Sequence, residues 1–134
     1  MVDIETDVYD HVSTFVKAMY PRVCISSERN DAPSEFPFVS IEESNNVTHE
    51  PTISGDVGEN HAAVTFTVEV YSNKLTGRKK EAREIAEAVD LAMGSLGITR
   101  TMMSPMPNLL NIGVYRIVAR YRCIVGNDKT IFRR

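Results

Sequence analysis

Apolar residues recur at helical spacing from the start of the chain. Ile4, Val8, Val12, Phe15, Val16 and Met19 form one stripe, which predicts a helix over 4–19. Asp3, Glu5, Asp7 and Asp10 crowd its first turns, where the helix dipole favours negative charge. Pro21 marks its end. A short strand is expected over 22–27, with Val23 and Ile25 on one face. Residues 28–37 (ERNDAPSEFP) read as a polar loop. The next strand is expected over 38–49: its opening FVSIEE is half apolar, and its later SNNVTHE is polar, solvated or interfacial. Residues 51–60, with one Pro and two Gly, read as a hairpin connection that projects from long flanking strands. In the returning strand Val64, Phe66, Val68 and Val70 alternate with Thr65, Thr67, Glu69 and Tyr71, the pattern of a half-buried antiparallel strand.

The second helix is expected over 77–96, capped by Thr76 and stopped by Gly97 at the C′ position. Its stripe is Ala82, Ile85, Ala86, Val89, Ala92, Met93 and Leu96. A strand over 98–103 follows, which Pro105 and Pro107 break or confine to a sheet edge. The last long strand covers 114–125. It shows Tyr115, Ile117, Ala119, Tyr121, Cys123 and Val125 on one face and Arg116, Val118, Arg120 and Arg122 on the other. Residues 126–134 read as a short, mobile polar tail. With no internal repeat, the order implies one α+β domain over 1–134. Its antiparallel or mixed sheet has four to five strands, with two helices packed on one face and a projecting hairpin.

Composition narrows the class. The chain has 134 residues, 43% hydrophobic and 25% charged, ordinary for a globular protein with a real core. No apolar run approaches the ~20 residues of a membrane-spanning helix. The acidic start MVDIETDVYD is the reverse of a secretory signal, so a cytoplasmic site of synthesis and retention is expected. The net charge of −3 argues against a general nucleic-acid binder. That total hides a split: residues 1–73 carry 13 acidic and three basic side chains, and residues 74–134 carry five acidic and 12 basic. Either opposite patches attract copies head to tail, or strands from both halves interleave in the sheet and the charges mix. The two cysteines, Cys24 and Cys123, are expected to be free and in apolar surroundings, with adjacency in the sheet an open option and no structural disulfide.

No catalytic constellation emerges. His11, His49 and His61 share no ligand spacing, and no metal site is expected. Glu42 and Glu43, adjacent on a strand, point to opposite faces and form no acid–base dyad. SGDVGENH lacks the Lys-Ser/Thr of a phosphate-binding loop. GRKKEAR reads as a solvated helix face more readily than as a phosphate contact, although three of its bases sit at the wrong end for the dipole. Asn46-Val47-Thr48 matches a glycosylation sequon with no secretory signal beside it. The ladder of Arg116, Arg120 and Arg122 either faces acidic side chains of a neighbouring strand, such as Glu42 or Glu69, or lines a docking surface for an acidic partner.

Taken together, several phrases resemble phage and prophage proteins of the tail-terminator (tail-completion) group, which include minor capsid and head–tail joining proteins. The phrases are EFPFVSIEE, then VTFTVEVYSNKLTGRKKEAREIAEAVDLAMGSLGITRT, then MPNLLNIGVYRIVARYRCIV. VEVYSN followed by a Lys/Glu-rich helix and GITRT carries most of the likeness, which spans about residues 8–125. The resemblance implies a sheet packed by two helices, with six copies closed into a hexameric ring on the last ring of the tail tube. Such a ring halts tube growth and presents a surface to the neck. It implies no enzymatic activity and no cofactor. The implied partners are other copies of the chain, the tail tube protein and a head–neck connector protein. The resemblance also implies that DNA passes through the lumen without specific binding and that no membrane is involved. The implied location is the virion tail or neck, with assembly in the host bacterial cytoplasm.

In that setting the 45–61 hairpin and the 101–113 segment are the expected contact loops. The candidate interface residues are His49, Ile53, Asp56, Val57 and Glu59 in the first. Met102, Met103, Met106, Leu109 and Leu110 belong to the second, with Arg100 just before it and Arg116 and Arg120 on the last strand. Methionines supply adaptable apolar surface there. Two other classes compete: a different neck, connector or tube-like subunit of the same particle, and a stand-alone cytoplasmic domain binding a small ligand in an apolar pocket.

Overall fold

The alternation of Val64, Phe66, Val68 and Val70 dictates the centre of the molecule: all four are buried beneath the helices, and a sheet builds outward from their strand. The computed structural model describes residues 3–30, 33–48, 61–106, 113–126 and 131–132, with backbone alone for Thr48, His61 and Phe132. The elements are α1 (Glu5–Met19), β1 (Cys24–Ser26), β2 (Phe38–Thr48), β3 (His61–Ser72), α2 (Arg78–Ser95), β4 (Thr99–Met106), β5 (Tyr115–Gly126) and β6 (Ile131–Phe132). The sheet order is β1-β2-β3-β5-β4, with β6 also paired to β5. β1 runs parallel to β2, and every other pairing is antiparallel, so the sheet is mixed. This is the α+β architecture expected from the sequence.

α1 packs on β2 and on α2, and α2 packs across β3, β5 and β4. The stripe residues Ile4, Val8, Val12 and Val16 are buried, whereas Met19 is 51% exposed. α2 buries Ala82, Ile85, Ala86, Val89, Ala92 and Met93. It ends as the sequence predicts. Gly97 takes φ 83°, its N–H bonds the Gly94 carbonyl at 3.0 Å, and the Ile98 N–H bonds the Met93 carbonyl at 3.1 Å. These two bonds form a Schellman motif, and both Ile98 and Met93 lie in the core.

Three expectations need correction. Thr76 does not cap α2: the N-cap is Gly77 at φ 84°, with no side-chain cap. Thr76 falls one residue too early. The first turn is held instead by the Ser72 hydroxyl, which donates to Glu81 Oε1 at 2.7 Å and ties α2 to the end of β3. The C-terminal segment is not wholly a loose tail, because β6 pairs Ile131 and Phe132 with Val125 and Ile124. Cys24 and Cys123 are free as expected but are not neighbours, since β2 and β3 lie between their strands. The expected projecting hairpin falls largely on 49–60, outside the described residues.

Pro105 behaves as its chemistry requires. It lies in β4, an outer strand of the sheet among the described residues, where a residue without an N–H is tolerated because one side of the strand is unpaired there. Thr101 forms a bulge between Arg100 and Met102 and donates its hydroxyl to the Arg120 carbonyl at 3.3 Å.

Candidate interaction surface

The sheet face away from the helices carries the arginine ladder. Arg116 lies diagonally from Glu69 across the β3–β5 pair and bonds it through Nε at 2.8 Å and through a terminal amino group. Arg29 approaches the other carboxylate oxygen at 3.4 Å, and the Tyr71 hydroxyl donates to Glu69 at 3.4 Å. The Arg116 guanidinium also sits 5.8 Å from the Tyr71 ring centroid. Glu69, 3% exposed at its side chain, is thus a buried carboxylate surrounded by donors. Of the two sequence readings of the ladder, pairing with Glu69 holds for Arg116. Arg120 remains exposed and Arg122 half-buried. This face has a cavity of about 370 Å³, whose lining includes Arg29, Glu42, Glu69, Arg116 and Arg120. Glu42 lines it while Glu43 lies opposite Phe66 on the helix side, so the two carboxylates do point apart.

The second feature is a cleft between α2 and β4, of about 650 Å³. Lys79, Arg83 and Glu87 from α2 form one wall, Arg100 and Met103 from β4 the other, and Ala86 and Ile117 line it too. Helical periodicity puts Lys79, Arg83, Ala86 and Glu87 on one side of α2. Arg100 reaches Asp90 at 3.5 Å, and the buried Tyr121 hydroxyl donates to the same oxygen at 3.1 Å. Burial, followed by the Asp90 charge and hydrogen bond, raises the Tyr121 pKa far above that of an ordinary phenol. This network fixes the cleft's inner wall and leaves Arg100 half in solvent.

The charge split of the sequence survives in space. β1, β2 and β3, from the acidic half, occupy one side of the sheet, and β5 and β4, from the basic half, occupy the other. The alternative reading, in which strands from the two halves interleave, does not hold. Along the strands the starts of α1 and α2 also lie at opposite ends, while Glu43 and Arg100 share one row across the sheet, three strands apart. His11 of α1 and Ser95 of α2 meet at 2.8 Å, so the start of α1 lies near the end of α2. The start of α2 is tied to Ser72 at the other end of β3. Asp3, Glu5 and Glu43 therefore gather at one corner, and Lys79 and Arg83 sit at the diagonal one.

Of the candidate interface residues, His49, Ile53, Asp56, Val57, Glu59, Leu109 and Leu110 lie outside the described residues. The others divide between the two features. Arg100, Met102 and Met103 line the α2–β4 cleft. Met106, 37% exposed, borders the cavity on the open face together with Arg116 and Arg120. The sequence reading missed Lys79 and Arg83 as site residues. Their i, i+4 spacing was the available signal, but the glutamates that follow suggested an ordinary solvated face.

Among the described residues no group of three His, Cys, Asp or Glu side chains could hold a metal ion, and no helix is long and apolar enough to cross a membrane. No protein-family model matches the chain, and no curated protein matches it.

Proposed function

We propose that the chain is a structural subunit that joins its own copies side by side into a closed ring, the part played by a tail terminator at the head-proximal end of a phage tail tube. A hexamer in the virion neck is the arrangement that the sequence resemblance implies. The carrying observation is the segregation of charge: an acidic corner at the start of α1 and a basic cleft at the diagonal corner. Complementary patches at different places on one molecule make a heterologous contact, which yields a ring when the rotation closes and a filament when it does not. Growth of the tube stops at such a ring because its outer rim offers the next tube subunit no matching patch. The job is mechanical, and no residue is assigned a catalytic role.

The small-ligand alternative calls for a largely apolar pocket. The cavity on the open face is instead bordered by Arg29, Glu42, Glu69, Arg116 and Arg120, and its central carboxylate is already bonded within the protein. Electron microscopy of the purified chain mixed with tail tubes tests the ring reading. Short single rings capping one end of each tube are expected. Long stacks would indicate a tube-like subunit, and bare tubes would overturn the proposal.

A further inference from the structure

We infer that the basic cleft between α2 and β4 is the seat for the acidic first turns of α1 from a second copy of this chain. This deepens the ring reading and rests on it for the direction of the contact.

The argument begins with an oddity of α2. Arg78, Lys79 and Lys80 stand in its first turn, where the helix dipole is already positive. Lys80 finds Glu84 at 3.9 Å on the solvent side. Lys79 and Arg83 turn to the cleft, are exposed, and face Arg100 across it, with Glu87 the one carboxylate among the described lining residues. Arg100 is paired with Asp90, but Lys79 and Arg83 stand side by side at the positive end of the helix dipole, a repulsion that an anion from outside relieves.

α1 supplies anions of comparable spacing. Asp3, just before the helix, and Asp7 and Asp10, on one side of its first turns, are exposed. Asp7 and Asp10 are three residues apart, about 4.5 Å along a helix axis, and Lys79 and Arg83 are four apart, about 6 Å, so both pairs project from neighbouring turns. The chain's own α1 cannot fill its own cleft, because the two lie at diagonal corners. The occupant is therefore another molecule. Nucleic acid fits poorly: the net charge is −3, and Glu84, Glu87 and Asp90 follow the basic turn on the same helix.

Charge exchange tests the contact. One variant carries Lys79→Glu with Arg83→Glu; a second carries Asp7→Lys with Asp10→Lys. Self-association is followed by sedimentation velocity and light scattering at low and high salt. The wild type should associate at low salt and weaken as salt rises. Each variant alone should associate at least about tenfold more weakly. An equimolar mixture of the two should recover wild-type association, as should one chain carrying all four changes. Unchanged thermal unfolding of each variant shows that the fold is intact. Variants that associate like the wild type, or a mixture that stays dissociated, overturn the inference. So does a wild type that remains monomeric at low salt and high concentration, while the tube-capping assay still decides the ring reading. Recovery in the mixture with bare tail tubes supports this contact and overturns the ring.

Discussion

Arg116 on β5 and Glu69 on β3 are diagonal cross-strand neighbours, and two guanidinium nitrogens of Arg116 converge on one oxygen of the Glu69 carboxylate. The pair lies on the face without helices, yet the Glu69 side chain is 3% exposed and that of Arg116 21%. Removing one member of a buried pair leaves the other charge desolvated and uncompensated, which typically costs about 3–5 kcal/mol. Arg29 touches the same carboxylate from a side chain that is 56% exposed, where ion pairs contribute about 0–1 kcal/mol. Urea unfolding should therefore show a large loss for Glu69→Ala and a small one for Arg29→Ala. Equal losses would mean that Arg116 does not depend on Glu69.

That pair also marks how far the sequence could be read. Period-two alternation in 64–71 and the 3.6-residue stripes of both helices were legible because each buries one face against a single core. Glu69 was legible as a partner of the ladder because alternation put it on the arginines' face. The pairing order was not legible: nothing local in β3 says that its second neighbour is β5, with β4 beyond it, and that order keeps the acidic and basic halves apart. The cleft was hidden for the same reason, since Arg83 and Arg100 meet only once β4 lies beside α2. Gly77 was misread because a side-chain cap was sought where a left-handed glycine turns the chain.

Glu43 makes the fold sensitive to pH. Its Oε1 is buried without a hydrogen-bond partner, on the helix side of β2. Burial raises its pKa above the ordinary 4.5; Glu5 and Asp3 add to the rise, and a hydrogen bond with Asn46 opposes it. The folded state thus holds this proton more tightly than the unfolded state. The associated stability is fully present below the unfolded pKa and is lost as pH rises through the folded pKa. Glu43→Gln removes the titration. The variant should be more stable than the wild type at pH 8, by about 0.5–2 kcal/mol, the range typical of improved charge placement. The difference should shrink towards pH 4. Urea midpoints at the two pH values measure it, and a pH-independent difference would show that Glu43 does not carry the effect.

Two glycines of the α2 region should respond in opposite directions to alanine. Gly77 has φ 84° with open space around the missing Cβ, so the cost is conformational alone. A left-handed alanine is disfavoured by roughly 1–2 kcal/mol. Gly94 lies inside α2, also with open space where a Cβ would go. Alanine there restricts the unfolded chain without a clash and should add about 0.4–1 kcal/mol. Thermal unfolding of Gly77→Ala and Gly94→Ala should bracket the wild type. A loss in Gly94→Ala would mean that the end of α2 is not free to accept a methyl group.

Thiol reactivity should separate the two cysteines, because they sit at different depths of the sheet. Cys123 is 1% exposed in β5, and its pKa is pushed up to about 11, chiefly by burial and then by the Glu43 charge, with Arg122 opposing. Only about one thousandth of it is thiolate at pH 8, and the thiolate is the reacting form. Cys24 is half-buried in the outer strand β1, with a pKa raised by burial first and then by Glu35. A disulfide-exchange reagent at pH 8 should label Cys24 slowly and Cys123 only as fast as the chain unfolds. Cys24→Ala should then abolish the native-state reaction, leaving a rate equal to that of global unfolding measured in parallel. Faster labelling of that variant would show that β5 opens locally, which its pairing with β3 along twelve residues argues against.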